Sequence, residues 1–325
     1  MWIRKKEDEA RAMHDEALAR IDEGDLAGAE ALAARLEALG WSGCFEIQAL
    51  ARRKAGDRGG ALAALDRGVE VAPELWLLHQ LRGNVLDELG RFDDALASYD
   101  AALRCEGVTV SSVRYNRAVT RLRAGDPGGA LADAEHVITE APEAPFAGAA
   151  LGVAVDALLA LSRHDDAVSI VEHAIASVVG SGAASAIAVL EGTRAKAMLA
   201  AGRAREEIEA ALGRAIEGGG ASKDVADVLA ALAPEDTLSR TRFHAVIEVT
   251  VPQAERTALP EGATGYFRTM RVVATSEDEA KTLATSLEPR TLLAGTRVHT
   301  LSAEGADAST RSRVASPSGR LYFGE

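Results

Sequence analysis

The sequence predicts a mainly α-helical fold, in which a solenoid of about six helix-turn-helix units is followed by a small α+β domain. Three observations support this prediction. One short phrase recurs six times at a spacing near 34 residues, only 4% of the residues are aromatic, and β-branched residues become frequent only after Pro234. A fixed repeat period between about 20 and 50 residues is typical of proteins built from stacked repeats.

The recurring phrase consists of an aliphatic or small residue, then Gly or Ser, then usually Asp or Arg, and, after three more residues, Ala or a near equivalent. Apolar positions with helical spacing precede and follow each copy, so the phrase predicts the turn between two paired helices. The spacings between successive Gly or Ser positions are 32, 34, 35, 37 and 40 residues. These positions are Gly24, Gly56, Gly90, Gly125, Ser162 and Gly202.

The unit that begins at Trp76 resembles the tetratricopeptide repeat. In that family the eighth, twentieth and twenty-seventh positions of a unit of about 34 residues are small, and the twenty-fourth is aromatic or aliphatic. Here the three small positions are Gly83, Ala95 and Ala102, and Tyr99 holds the aromatic position. Two helices that cross at close range need residues without bulk at the contact point, which explains the small positions.

The resemblance implies a right-handed α-solenoid over residues 1–233. We expect six units and a closing helix, at residues 10–41, 42–75, 76–109, 111–144, 148–181, 188–221 and 222–232. The first, fifth and sixth units depart from the pattern; for example, Leu36 stands where a small residue is typical. One unit cannot bury its apolar face alone, so stacked units share a continuous core.

Residues 234–325 predict a small α+β domain with the order strand, strand, helix, strand, strand. Alternating apolar residues from Phe243 to Val251 predict the first strand, and a second begins near Tyr266. Ser276 and Glu279 form a capping box that begins a helix. Two short strands are expected at residues 297–301 and 320–323, with a polar loop over residues 302–318 between them.

Charge and hydropathy narrow the classes of partner. The net charge is −13, and residues 235–325 contain 12 acidic and 11 basic side chains, so −12 belongs to the helical part. We therefore expect no nucleic-acid partner and no anionic membrane surface, since both require a positive footprint. No secretory signal or apolar run of membrane-spanning length is present. Together with two widely separated cysteines, Cys44 and Cys105, this predicts a cytoplasmic protein with free thiols.

No catalytic motif is found in the sequence. The seven histidines have no spacing that places metal ligands on one helix face, and no phosphate-binding loop, dinucleotide fingerprint or nucleophile elbow occurs. Gly218, Gly219 and Gly220 predict a flexible linker, because no Lys-Ser or Lys-Thr follows them. We therefore expect a protein that is not an enzyme and that holds no cofactor and no metal.

The resemblance implies that the exposed side of the first helix of each unit lines a concave groove. The residues expected there to bind a partner are Arg53, Lys54, Gln80, Asn84, Tyr115, Val119 and Arg123. A mixed polar groove suits an extended peptide or a partner helix, so we expect a protein-protein interaction scaffold. The alternative is a bacterial immunity-type protein that neutralises a toxin, a hypothesis motivated by the acidic charge and by the arrangement of the carboxy-terminal domain.

Overall fold

Fourteen α-helices and four β-strands form the described part of the chain in the computed structural model. The structure describes residues 2–143, 146–179, 184–220, 222–233, 239–260, 263–307 and 312–324. The chain divides into two compact units, Met1–Leu161 and Ser162–Glu325. The predicted class, a mainly helical repeat protein with a small sheet near its carboxy terminus, is confirmed.

Consecutive helices pack against each other in the first compact unit. Its helices are α1 (Trp2–Glu23), α2 (Leu26–Ala38), α3 (Cys44–Lys54), α4 (Arg58–Val71), α5 (Trp76–Glu88), α6 (Phe92–Arg104), α7 (Val110–Arg123), α8 (Pro127–Glu140) and α9 (Ala147–Ala160). The repeat pattern predicts that the two helices of the unit from Trp76 cross at close range, and α5 and α6 do so at Gly83. A Cβ atom placed on Gly83 would lie 2.5 Å from Cε1 of Tyr99, so this crossing has no room for a side chain.

The six predicted turns all contain a residue with a left-handed backbone. The φ angles are 88° at Gly24, 84° at Gly56, 73° at Gly90, 81° at Gly125, 60° at Ser162 and 65° at Gly202. After α1, the amide of Asp25 donates to the carbonyl of Arg20 and that of Gly24 donates to Ile21, which closes the helix in a Schellman motif. The recurring phrase therefore predicts the turn conformation as well as its position.

Ser162 is the one turn residue of the six that carries a side chain, and a left-handed backbone costs such a residue about 1–2 kcal/mol. Replacing it with glycine removes this strain, although glycine also gains freedom in the unfolded chain. We expect Ser162→Gly to raise the free energy of unfolding by about 0.5–1 kcal/mol. Urea titration checks this, and Ser162→Ala, which keeps the strain, should bring no gain.

A second glycine in the phrase has a separate role in capping. The carboxylates of Asp25, Asp57 and Asp126 accept hydrogen bonds of 2.9, 2.8 and 2.9 Å from the amides three residues later. Those amides belong to Gly28, Gly60 and Gly129, where an added Cβ would lie 2.0–2.1 Å from the capping carboxylate. The sequence Gly-Asp-x-x-Gly thus ends one helix and begins the next.

The second compact unit contains helices and the sheet. Its elements are α10 (His164–Val178), α11 (Ala184–Ala200), α12 (Arg205–Glu217), α13 (Lys223–Leu232), β1 (Arg240–Thr250), β2 (Ala263–Ala274), α14 (Glu277–Thr285), β3 (Thr296–Asp307) and β4 (Arg313–Gly324). Short 3-10 helices lie at Gln253–Ala258 and Arg290–Gly295. The two helices expected for residues 148–181 are α9 and α10, and they belong to different compact units.

The sheet is antiparallel, with the strand order β3-β1-β2-β4. Phe243 lies opposite Val272 in the register of the two central strands, and alternate residues of β1 are buried as predicted. Helix α14 packs on the sheet through buried Ala280 and Ala284. Ser276 caps this helix, accepting a hydrogen bond of 3.2 Å from the amide of Glu279.

The predicted polar loop over residues 302–318 is wrong where the structure describes it. Strand β3 continues to Asp307 and β4 already begins at Arg313, while residues 308–311 lie outside the described residues. Most residues of β3 are exposed, and β3 lies at one edge of the sheet. A strand that buries little apolar surface shows no alternation of apolar and polar residues, so its sequence resembles a loop.

The predicted domain boundary at residues 233 and 234 stays a prediction, since residues 234–238 lie outside the described residues. Helices α10–α13 belong to the same compact unit as the sheet, and α13 lies against β4. None of the described helices combines the length and the apolar character that crossing a bilayer requires.

Candidate partner-binding surface on the first helices

One cleft, which we call the first-helix cleft, opens on the first helices of the first three repeats. Its volume is about 610 Å³, and it is lined by Leu18, Ile21, Asp22, Leu50, Arg53, Lys54, Arg58 and Glu88. Leu18 and Leu50 are half-buried. Helices α1, α3, α4 and α5 contribute these residues. The cleft therefore offers an apolar surface surrounded by charges of both signs.

Arg53 lies in this cleft and is paired with a carboxylate of the following repeat. Its Nε donates to Oε1 of Glu88 over 2.6 Å, and Nε of Arg58 donates to the other oxygen over 3.2 Å. Burial alone would raise the pKa of Glu88, but the two guanidinium groups outweigh it and lower the pKa below its ordinary value. A ligand of Arg53 must therefore compete with Glu88.

Lys54 lies in the same cleft and caps the end of a neighbouring helix. Its Nζ donates to the carbonyl oxygen of Ile21 and, over 3.1 Å, to that of Asp22. Both carbonyls belong to the last turn of α1, where a positive charge is favourable to the helix dipole. The ammonium group thus joins the second repeat to the first.

Gln80 and Asn84 hold structural contacts. Nε2 of Gln80 donates to Oγ of Ser112 over 2.9 Å, and the glutamine is only 8% exposed. The Tyr99 hydroxyl donates to Oδ1 of Asn84 over 2.9 Å, while burial raises the pKa of that hydroxyl. The two amides therefore position α7 and α6 against α5.

Tyr115, Val119 and Arg123 lie on α7 and are not among the described residues that line the first-helix cleft. The Tyr115 ring stacks on Phe146 at 5.4 Å between centroids, and Val119 is half-buried. Arg123 forms an ion pair with Asp87 and places its guanidinium carbon 5.2 Å from the centroid of Phe92. Of the seven residues that the sequence indicates, the structure thus brings only Arg53 and Lys54 together in one cleft.

These contacts share a spacing of one repeat. The residue separations are 35 for Arg53 and Glu88, 32 for Gln80 and Ser112, and 36 for Arg123 and Asp87. The polar side chains of the first helices therefore join successive repeats. Sequence reasoning missed Leu18 and Leu50, although both lie on first helices, whose exposed side the resemblance directs into the groove.

A second cleft, which we call the tryptophan cleft, lies where α3 and α5 begin. It encloses about 450 Å³ and is lined by His14, Gly40, Trp41, Ser42, Gly43, Glu46, Glu74, Leu75, Trp76, Leu77 and Leu78. Nε2 of His14 is 3.0 Å from Oε2 of Glu46. This hydrogen bond raises the pKa of His14 against the opposing effect of burial. The sequence analysis did not identify this cleft.

The chemistry of the thiols and possible metal ligands is simple. Cys44 and Cys105 are both free, as predicted, and burial raises the pKa of the Cys44 thiol to about 11. A thiol with such a pKa is protonated at neutral pH and reacts slowly. Within the part of the chain that the structure describes, no three His, Cys, Asp or Glu residues are arranged to hold a metal ion.

Comparison with solved structures identifies the repeat fold. The type IV pilus biogenesis factor PilW has a TM-score of 0.54 and 15% identity, with coverage of 68% of this chain and 98% of PilW. A tetratricopeptide repeat protein from Parabacteroides merdae matches with a TM-score of 0.53 and 14% identity. That match covers 68% of this chain and 84% of the Parabacteroides chain. No family model and no curated protein matches the sequence.

A third neighbour agrees with these two. It is the C-terminal part of a TPR repeat-containing protein from Cytophaga hutchinsonii, with a TM-score of 0.51, 15% identity and coverage of 67% of this chain and 84% of its own. At such identities a likeness establishes the fold and not the function. With the six left-handed turns and the close crossing at Gly83, these likenesses show that the chain has the tetratricopeptide-repeat fold.

Proposed function

We propose that the protein is a non-enzymatic interaction scaffold that binds a peptide or a partner protein in the first-helix cleft. The observation that carries this proposal is the cleft itself, where Leu18 and Leu50 form a half-buried apolar surface between charged side chains. Apolar surface with a few polar groups around it is typical of binding sites. An extended segment or an amphipathic helix can place apolar side chains there and charged ones at the rim.

The walls of the cleft are held in place before a partner binds. Lys54 joins α3 to the end of α1, and Arg53 joins α3 to α5 through Glu88. A preformed site loses less conformational entropy when it binds its ligand. The net charge of −13 disfavours nucleic acid, so the partner that we propose is a polypeptide.

Capture from a lysate of the source organism with the full-length chain and two variants tests this function. Leu18→Gln with Leu50→Gln removes apolar surface from the cleft, whereas Ala63→Gln alters an exposed position on the second helix of the same repeat. We expect the double variant to lose at least about 90% of the captured partner. A partner that covers the exposed half of each leucine gains about 0.8–1.5 kcal/mol from it, half the value for a fully exposed side chain. The Ala63→Gln variant should retain the captured partner.

Circular dichroism and melting of each variant must first show that the repeats remain folded. If a folded double variant captures its partner as well as the parent, the partner does not bind in this cleft and the assignment is wrong. Capture by no form of the protein would contradict the scaffold function as a whole.

Neutralisation of a toxin is the second candidate, and the acidic charge of the chain motivates it. In that case the captured partner is a toxin, and co-expression must rescue cells from it. A partner without toxicity excludes this alternative while leaving the scaffold proposal intact.

A further inference from the structure

The tryptophan cleft combines aromatic rings with carboxylates. Two of the three tryptophans of the chain, Trp41 and Trp76, line it, and both are partly exposed. Among the residues that the structure describes, none lines both this cleft and the first-helix cleft. An inference about its ligand is therefore independent of the function proposed above.

The two indoles are held by different parts of the first compact unit. Trp41 packs against the core of the first repeats, and Trp76 packs against the cluster around Tyr99. A Cβ atom on Gly43 would lie 2.6 Å from Nε1 of Trp41, so the ring rests directly on the backbone there. Rings that are fixed in this way lose little freedom when a ligand binds them.

The charge of the cleft is negative. Glu46 and Glu74 both line it, whereas among the described lining residues His14 alone can carry a positive charge, and it is already bound to Glu46. Glu74 is exposed. Leu75, which is 38% exposed, and Leu77 add apolar surface beside this carboxylate. The chemistry that complements such a lining is a cation on an apolar stem.

We propose that the tryptophan cleft binds an arginine or lysine side chain of a partner polypeptide, together with a flanking apolar residue. The cation is attracted to the face of an indole, which is the strongest aromatic partner for it. The Glu74 carboxylate supplies the opposite charge, and the methylene stem packs on the exposed leucine surface. A volume of about 450 Å³ lies within the range typical of ligand sites, about 300–1,000 Å³.

Tryptophan fluorescence of the full chain, carrying Trp2→Phe to remove the third indole, measures this binding directly. The probes are three capped tripeptides, Leu-Arg-Leu, Leu-Gln-Leu and Leu-Glu-Leu. We expect a saturable change with the arginine peptide, binding about three- to tenfold weaker with the glutamine peptide, and none with the glutamate peptide. Added salt should weaken the binding of the arginine peptide alone.

Two matched variants locate the site. Glu74→Gln removes the exposed carboxylate of the cleft, and Glu70→Gln removes an exposed carboxylate outside it. We expect Glu74→Gln to weaken the binding of the arginine peptide about threefold or more. Glu70→Gln should leave this binding unchanged. Equal binding of the arginine and glutamine peptides, equal effects of the two variants, or no saturable change at millimolar peptide would each overturn the proposal.

Discussion

Replacement of Gly83 by leucine is expected to lower the free energy of unfolding by about 3 kcal/mol or more. The crossing of α5 and α6 has no space for a side chain, because even a Cβ atom would lie 2.5 Å from the Tyr99 ring. Tyr99 is itself buried and donates a hydrogen bond to Asn84, so a displaced ring also loses that bond. The melting temperature should fall by about 6–12 °C.

Gly152 provides the control for this substitution. It lies within α9, and a Cβ atom there would meet nothing within 4 Å. Gly152→Ala should leave stability unchanged or raise it by up to about 1 kcal/mol, since alanine is the better helix former. If Gly83→Leu melts like the parent protein, the repeat register that places Gly83 at the crossing is wrong.

Removal of the Asp133 carboxylate is expected to lower the free energy of unfolding by about 3–5 kcal/mol. Its side chain is 1% exposed and accepts hydrogen bonds from three arginines of α7. Nε and Nη2 of Arg117 donate over 2.7 and 2.6 Å, Nη1 of Arg121 over 2.8 Å and Nη1 of Arg114 over 3.0 Å. Asp133→Ala removes most of the negative charge next to the buried guanidinium group of Arg117. Urea titration should therefore show a large decrease in the free energy of unfolding.

Asp100 is the matched control, because it also binds Arg117. Its carboxylate accepts a hydrogen bond of 2.5 Å from Nη1 of Arg117, but its side chain is 48% exposed. Exposed ion pairs contribute about 1 kcal/mol or less, so Asp100→Ala should have a small effect. Similar losses for the two variants would show that burial does not determine the contribution of Asp133.

The turns and the close crossing could be predicted from the sequence because local patterns determine them. A left-handed residue after a helix favours glycine, so the recurring phrase identified all six positions, including Ser162. The crossing at Gly83 follows from the repeat period, which aligns small residues with Tyr99. The sequence predicts residues 297–301 of the edge strand β3, but not its continuation to Asp307, since the exposed residues there leave no periodic signal.

The roles of charged residues could not be predicted in the same way. Asp133 lies between alanines of α8 in a sequence typical of a solvated helix, and only the packing of α7 brings three arginines to it. Arg53 and Arg123 were correctly placed on first helices, but their partners Glu88 and Asp87 are 35 and 36 residues away. Position on a helix face is a local property, whereas ion pairing depends on which repeats become neighbours.

Site-specific photo-crosslinking tests most directly whether the first-helix cleft binds the partner. A photoreactive residue at position 50, on α3 within the cleft, is compared with one at position 63, on the exposed side of α4 in the same repeat. We predict that the captured partner crosslinks at position 50 and not at position 63. Crosslinking at position 63 alone would contradict the assignment of the binding surface to the first helices.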